Sequence, residues 1–363
     1  MNIMDKIIEE RQIPDALTTK RGKKIKNAKE FEKHREELKY MLQEHIYGYM
    51  PEKPEHVNVE LIKEDPIFCA GKAPKKDLNL TVTLNGEKFS FPFTSVIPKS
   101  DKKLPAFIHI NFRSDVPDKY MLSEELVDNG FAIFSFCYND VTKDDKNFKD
   151  GIAKLLSPAR RTQTSPGKIT MWAWAAMRVM DYIETLDSID LDNVAVVGHS
   201  RLGKTALVAG AFDTRFKYAI SNDSGCSGAA ITRGKTGEHI DFITTYKGEW
   251  FCKRYAKYAT DEGKMPLDQN FLTTLIAPRY LAIGSAEEDT WSDPESEFLA
   301  AYMASKAYDL YGIKGLIHND EIPKPKTVLD EGAICYHVRH GEHYFSREDW
   351  QVYMDFIKKK MKK

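Results

Sequence analysis

The sequence predicts an α/β protein built on a doubly wound, mostly parallel sheet with helices on both faces. Two observations predict it. Continuous apolar runs recur at 106–110, 131–137, 194–197, 218–220, 280–283 and 333–338, and unbroken apolar runs suit strands covered on both sides. Helical patterns separate them, at 120–128, 168–186, 204–212, 294–311 and 347–360. That alternation implies crossover connections and parallel pairing.

Ahead of this block, residues 28–47 carry Phe31, Leu38, Leu42 and Ile46 at near-helical spacing and read as a helix stopped by Gly48 and Pro51. Two β-like runs, 78–84 and 89–93, flank Asn85-Gly86, a hairpin signal. Trp172 and Trp174 fall in the long helix 168–186 and read as core. The stretches 140–166, 228–267 and 314–332 are poorly patterned; insertions of this kind usually shape a site.

The chain has 363 residues, 42% of them hydrophobic and 29% charged, so it can bury a large core. A net charge of −1 gives no global field for nucleic acid or an anionic membrane. Neither is expected as a partner. The basic stretch 21–33 and the lysines of 358–363 read as solvated surface. Cys69, Cys137, Cys226, Cys252 and Cys335 are scattered without a CxxC pair, which argues against a metal site and mildly for reduced thiols. Cys137 lies in an apolar run and reads as a buried small hydrophobe. The start turns charged at once and lacks a signal-peptide core, and no run is long enough to span a bilayer. The expectation is a cytoplasmic protein, or a secreted one if a leader was removed.

Chemistry concentrates in Gly198-His199-Ser200-Arg201-Leu202-Gly203-Lys204-Thr205, between an apolar strand and a helix. These residues match the phosphate-loop pattern G-x-x-x-x-G-K-[ST] letter for letter. They also suit a nucleophile elbow, where a Ser sits on a sharp strand-to-helix turn. A phosphate loop needs a carboxylate ending a second strand to hold Mg²⁺, and Asp140 and Asp289 are poorly placed for that. The loop also follows about four predicted strands rather than the first. An elbow needs a base and an orienting acid, in the chain order Ser, acid, His. Asp289 follows the run 280–285, and His343 lies between the last strand and the last helix. Residue types, positions and order all agree, which points to an α/β-hydrolase fold. The glycine falls at 203 rather than 202, so the elbow departs from the common G-x-S-x-G.

The string Gly198-His199-Ser200-Arg201-Leu202-Gly203-Lys204 resembles the G-x-S-R-x-G-K elbow of the glucuronoyl esterase family of carbohydrate esterases, its bacterial branch in particular. Residues 219–226, the acid loop 287–294, the histidine loop 336–343 and Glu44-His45-Ile46-Tyr47-Gly48 are similar too. The resemblance covers most of the chain. It implies hydrolysis of the ester between a glucuronic acid carboxyl and an alcohol, as in glucuronoxylan ester-linked to lignin. The family places its acid on either of two strands, which correspond to Asp289 and Asp223 here; both are acidic, so the assignment stays open. The family's common Cys before the serine is His199 in this chain.

The roles expected are these. Ser200 is the nucleophile. His343 is the base, with His337 and His340 as competitors. Asp289 orients it, with Glu288 one residue away and Asp223 as the alternative acid. Arg201 would serve the oxyanion through its backbone N–H and, as the resemblance implies, through its side chain; otherwise it braces the elbow as a salt bridge. The resemblance gives Lys204 and Glu238 as sugar contacts, where both could instead be plain surface. Trp291 could lay its ring on a sugar face. Asn111-Phe112-Arg113 is left unassigned.

The reading is a serine-dependent carboxylic ester hydrolase. Its substrate would be a small-molecule or oligosaccharide ester, and no metal or organic cofactor is expected. An acetylxylan-type carbohydrate deacetylase is the nearest alternative; a phosphate-loop ATPase and a non-catalytic sugar-binding relative are more distant. Residues 1–75 are expected as a helical extension packed on a catalytic domain of residues 76–363. The oligomeric state is open.

Overall fold

The computed structural model describes residues 2–157 and 160–362. Ten strands form one sheet: β1 (His56–Asp65), β2 (Lys75–Leu84), β3 (Glu87–Val96), β4 (Leu104–Asn111), β5 (Ala132–Cys137), β6 (Ile189–His199), β7 (Tyr218–Asn222), β8 (Tyr280–Ala286), β9 (Thr327–Leu329) and β10 (Ile334–Arg339). Their order is β1-β2-β3-β5-β4-β6-β7-β8-β10-β9. The block β5-β4-β6-β7-β8-β10 is parallel. The first three strands and β9 join it antiparallel.

Every predicted apolar run is a strand of the parallel block, because each must be apolar on both sides. Along β4, Ala106, Ile108 and Ile110 enter one core together with the helices Lys168–Ile183, Arg201–Phe212 and Pro294–Asp309. Phe107, between them, packs into the other core with Phe131 and with Trp350 of the helix Arg347–Met361. Trp172 and Trp174 are fully buried, and Cys137 is buried as expected. All five cysteines are free. Among the described residues no helix is long and apolar enough to cross a membrane.

Asn85 (φ 50°) and Gly86 (φ 78°) make the tight turn between β2 and β3, with Leu84 paired to Glu87. The helix Ala28–Leu42 continues as a π turn, Gln43–Tyr47, and ends at Gly48, whose φ of 80° and contact with the Ser165 backbone leave no room for a side chain. Residues 1–75 supply more than helices. Their residues 56–65 form β1, the sheet's exposed outer strand. Its Val57 and Val59 pack half-buried against the first core but alternate with polar residues, so β1 carries no continuous apolar run.

The parallel strands end together at Asn111, Cys137, His199, Asn222, Ala286 and Arg339. Open α/β sheets bind their ligands beyond this edge.

Candidate active site

β6 runs to His199 and the next helix starts at Arg201, so a single residue makes the turn. That residue is Ser200, at φ 58° and ψ −128°. Such backbone costs a non-glycine residue about 1–3 kcal/mol and persists only where the surroundings enforce it. Enforcement is visible: Ser200 N donates to Asn222 O at 2.9 Å. A Cβ at Gly198 would lie 2.2 Å from Leu202 O, and one at Gly203 would lie 3.0 Å from Ser224 Cβ. The displaced glycine at 203 therefore lets the helix close against the end of β7.

The same geometry excludes the phosphate loop. A one-residue turn leaves no loop to wrap a phosphate. Lys204 Nζ donates to Ser224 O (2.6 Å) and Cys226 O (2.7 Å) and lies 3.5 Å from Glu238 Oε2. Asp140, a candidate Mg²⁺ ligand, borders a different cavity beside Lys75 and Asp77.

His343 Nδ1 lies 2.6 Å from Asp289 Oδ2. Burial pushes the Asp289 carboxyl up, but the hydrogen bond and charge of His343 and the bonds from Ser292 more than offset it, so the carboxyl sits below its ordinary value. Glu288 is exposed, and His340 pairs with Glu287 at 2.7 Å on the surface. His337 is buried against Asp349 (2.7 Å).

Asp223 is 1% exposed and takes a different partner. Its Oδ2 accepts from Arg339 Nη2 at 3.3 Å, and its Oδ1 has no partner. Arg339 also donates to Asp349 Oδ2 (2.9 Å) and to the carbonyls of Glu342 and Tyr344 on either side of His343. Of the two acids, Asp289 holds the imidazole and Asp223 braces the cation that pins its loop. Burial, then the neighbouring Asp349 and Glu297, raise the Asp223 carboxyl well above its usual range.

Ser200, Arg201, Lys204, Asp223, Glu238, Asp289, Trp291 and His343 all border one cavity of about 310 Å³, so the residues expected from sequence converge. A second cleft of about 370 Å³ shares Ser200, Arg201 and His343 and is bordered by Phe112, Arg113, Lys119 and Tyr120. No hydrogen bond joins the Ser200 hydroxyl to His343 among the described residues; such contacts often tighten only when substrate binds.

His199, Asp223 and His343 can bring one ligand atom each within 4.8 Å of one another. However, His199 Nδ1 already bonds Asn222 Oδ1 at 2.7 Å, and Asp223 is held by Arg339. Burial and the charge of His343 push the His199 imidazole down to about 3, so it stands neutral beside His343, ring centroids 4.5 Å apart.

Three supports escaped the sequence. Asp144 forms a close ion pair with Arg201 and accepts from Trp250 Nε1 at 2.6 Å. The Arg201 guanidinium lies over the Trp250 ring at 4.8 Å and the Phe112 ring at 5.6 Å, and its Nε is buried without an acceptor. Asp144 and Trp250 come from the unpatterned stretches 140–166 and 228–267, where only the length of the insertion signalled a role. Glu297 is fully buried. Its Oε1 accepts from Ser224 N (2.8 Å) and Gly225 N (2.9 Å), and its Oε2 meets Ser285 Oγ at 2.6 Å. It thereby fixes the turn whose carbonyls hold Lys204.

Burial raises the Glu297 carboxyl from 4.5 to about 7. A raised folded value means that the folded state favours the proton. The resulting stability is complete below the unfolded value and is lost as pH rises through about 7. Glu297→Gln keeps the acceptor for both N–H groups and gives Ser285 a neutral partner. The wild-type Tm is expected to fall, relative to this variant, by on the order of a few degrees between roughly pH 5 and 8. Parallel pH profiles of Tm for the two proteins would refute the assignment.

Comparison with known proteins gives the family. The family model described as "Glucuronyl esterase, fungi" matches residues 80–312. Carbohydrate esterase MZ0003, from an unknown prokaryotic organism, is 33% identical, with 95% of this chain and 88% of that protein covered. The 4-O-methyl-glucuronoyl methylesterase of Schizophyllum commune is 26% identical over 83% of this chain and 74% of its own length. Among solved structures, a glucuronoyl esterase from Solibacter usitatus superposes with a TM-score of 0.88 at 30% identity, covering 95% of this chain and 97% of that one. With more than half of its length inside that family model and a strained serine at the rim of a mostly parallel sheet, the chain belongs to the glucuronoyl esterase family of carbohydrate esterases.

Proposed function

We propose that the protein hydrolyses the ester between the carboxyl of a glucuronic or 4-O-methylglucuronic acid and an alcohol, through an acyl-enzyme on Ser200. The observation that carries this is the 2.6 Å His343–Asp289 pair bordering one cavity with the elbow serine, Lys204, Glu238 and Trp291.

With Nδ1 of His343 bonded to Asp289, Nε2 is the nitrogen left to take the serine proton. The Ser200 oxygen then attacks the ester carbonyl. The negative charge that develops is met at the helix N-terminus by the backbone N–H of Arg201 and by its side chain, whose Nε is unpaired. Fixed donors of this kind act with little reorganisation. Asp144, Trp250 and Phe112 hold the guanidinium, so its position is set before substrate arrives. The imidazolium returns its proton to the departing alcohol. A water activated by the same imidazole then releases the uronic acid and restores Ser200. Such an ester is neutral, so recognition rests on hydroxyl contacts to Lys204 and Glu238 and on packing against Trp291.

The test is a direct comparison of methyl 4-O-methylglucuronate with an acetylated xylo-oligosaccharide. Turnover of the first at a kcat/KM well above that for the second is expected. The opposite preference would assign a deacetylase.

A further inference from the structure

Trp291 does not end the aromatic surface at the cavity. Its ring packs edge-on against Phe242, centroids 4.9 Å apart at 85°. Phe242 in turn meets Tyr246 at 4.5 Å. The latter two sit four residues apart on the helix Ile240–Lys247 and therefore on one face of it. All three are open to solvent, at 48%, 42% and 62% exposure. Large aromatic rings are ordinarily buried, and a contiguous exposed group of them marks a binding surface.

The strip is firmly built. Lys235, 5% exposed, donates from Nζ to Glu238 O (2.6 Å) and Trp291 O (3.5 Å). Glu238 N donates to Trp291 O at 2.9 Å. Gly237, at φ 74°, has no room for a Cβ, which would lie 2.4 Å from Trp291 O. The residues expected to touch the uronate and the base of the strip are thus one unit.

We propose that Trp291, Phe242 and Tyr246 form a stacking track for the neutral oligosaccharide that carries the uronate ester. This deepens the function proposed above and rests on that reading. Pyranose rings present flat C–H faces to aromatic rings, and the Tyr246 hydroxyl adds a polar contact. The assignment to the saccharide rather than the alcohol follows from continuity. The track grows out of the cavity that Lys204 and Glu238 border, whereas Phe112, Arg113, Lys119 and Tyr120 border the other cleft at Ser200. Three rings are also too small a patch for a stable protein interface, which takes roughly 800 Å² per partner.

The test uses three substrates on the full chain: methyl glucuronate, the same methyl ester carried on a xylo-oligosaccharide of several units, and benzyl glucuronate. Phe242→Ala, Tyr246→Ala and the double variant are compared with Phe242→Tyr and Tyr246→Phe. For the oligosaccharide ester, KM is expected to rise about fivefold in each alanine variant and more than tenfold in the double, taking about 1 kcal/mol per ring. These rises should exceed those for methyl glucuronate by the same factors. The conservative variants should restore most of the affinity. Equal changes on both methyl esters would overturn the track, and losses confined to the benzyl ester would assign the rings to the alcohol. Binding of the unesterified oligosaccharide to Ser200→Ala, followed by tryptophan fluorescence, reads the track without turnover. Binding that weakens in the double variant supports it even if neither methyl ester is a substrate, an outcome that would sink the proposed function alone. Binding unchanged by the double variant overturns the track.

Discussion

Ser200→Ala is expected to lower kcat for ester hydrolysis by about 10⁶, the scale set by removal of a triad serine elsewhere. Stability should barely change. Ala inherits the same φ of 58°, so the strain remains, and the Ser200 N–H keeps its bond to Asn222 O. Ser200→Gly separates the two roles of the position. It should be equally inactive yet more stable by about 1 kcal/mol, because glycine occupies positive φ at little steric cost. Steady-state rates and denaturant midpoints on the three proteins check this. A Ser200→Ala enzyme retaining more than about 1% of wild-type kcat would remove the serine from the mechanism.

Asp289→Asn and Asp223→Asn should differ sharply. Asp289 accepts from His343 at 2.6 Å. An amide there stabilises the wrong imidazole tautomer, and a loss of about 10⁴ in kcat is expected. Asp223 has a carboxylate oxygen within 4.8 Å of an imidazole nitrogen of His343, but its hydrogen bond goes to Arg339, which donates to the carbonyls flanking His343. Asn at 223 keeps an oxygen for Arg339, and Asp349 still holds that cation. A loss of about tenfold or less is expected, with a lowered Tm from the disturbed loop. A reversed ranking would move the catalytic acid to the end of β7. Glu288 lies next to Asp289 but is exposed, so Glu288→Gln serves as the neutral control.

Much of this was legible in the linear sequence, for definable reasons. The parallel strands announced themselves because both of their faces are buried. The β2–β3 hairpin was marked by Asn85-Gly86, since that turn needs positive φ at two successive positions. Ser200, Asp289 and His343 were found because each lies just past a strand end, and chain order survives folding. β1 was missed. Its residues 56–65 are mostly exposed: Val57 and Val59 pack half-buried on the core, and pairing with the backbone of β2 supplies the rest. Asp144 and Trp250 were missed because their stretches have no periodicity, and what joins them is contact with Arg201 and with each other.

By itself the sequence determined the parallel strands, the β2–β3 hairpin, the elbow and the family, since these depend on local burial patterns and short-range spacing. It left two acids equivalent, because both follow strands and both suit the family pattern. It could not decide whether Lys204 was surface or interior, since helical spacing gives a face but not what covers it. Tertiary structure decided these points. The Asp289 loop brings its carboxylate to 2.6 Å from His343 Nδ1, while the carboxylate of Asp223 is bonded to the cation of Arg339. The turn 223–226, pinned by Glu297, closes over Lys204 and leaves it 4% exposed. Contacts between residues tens of positions apart set each of those outcomes, and a linear pattern does not encode such distances.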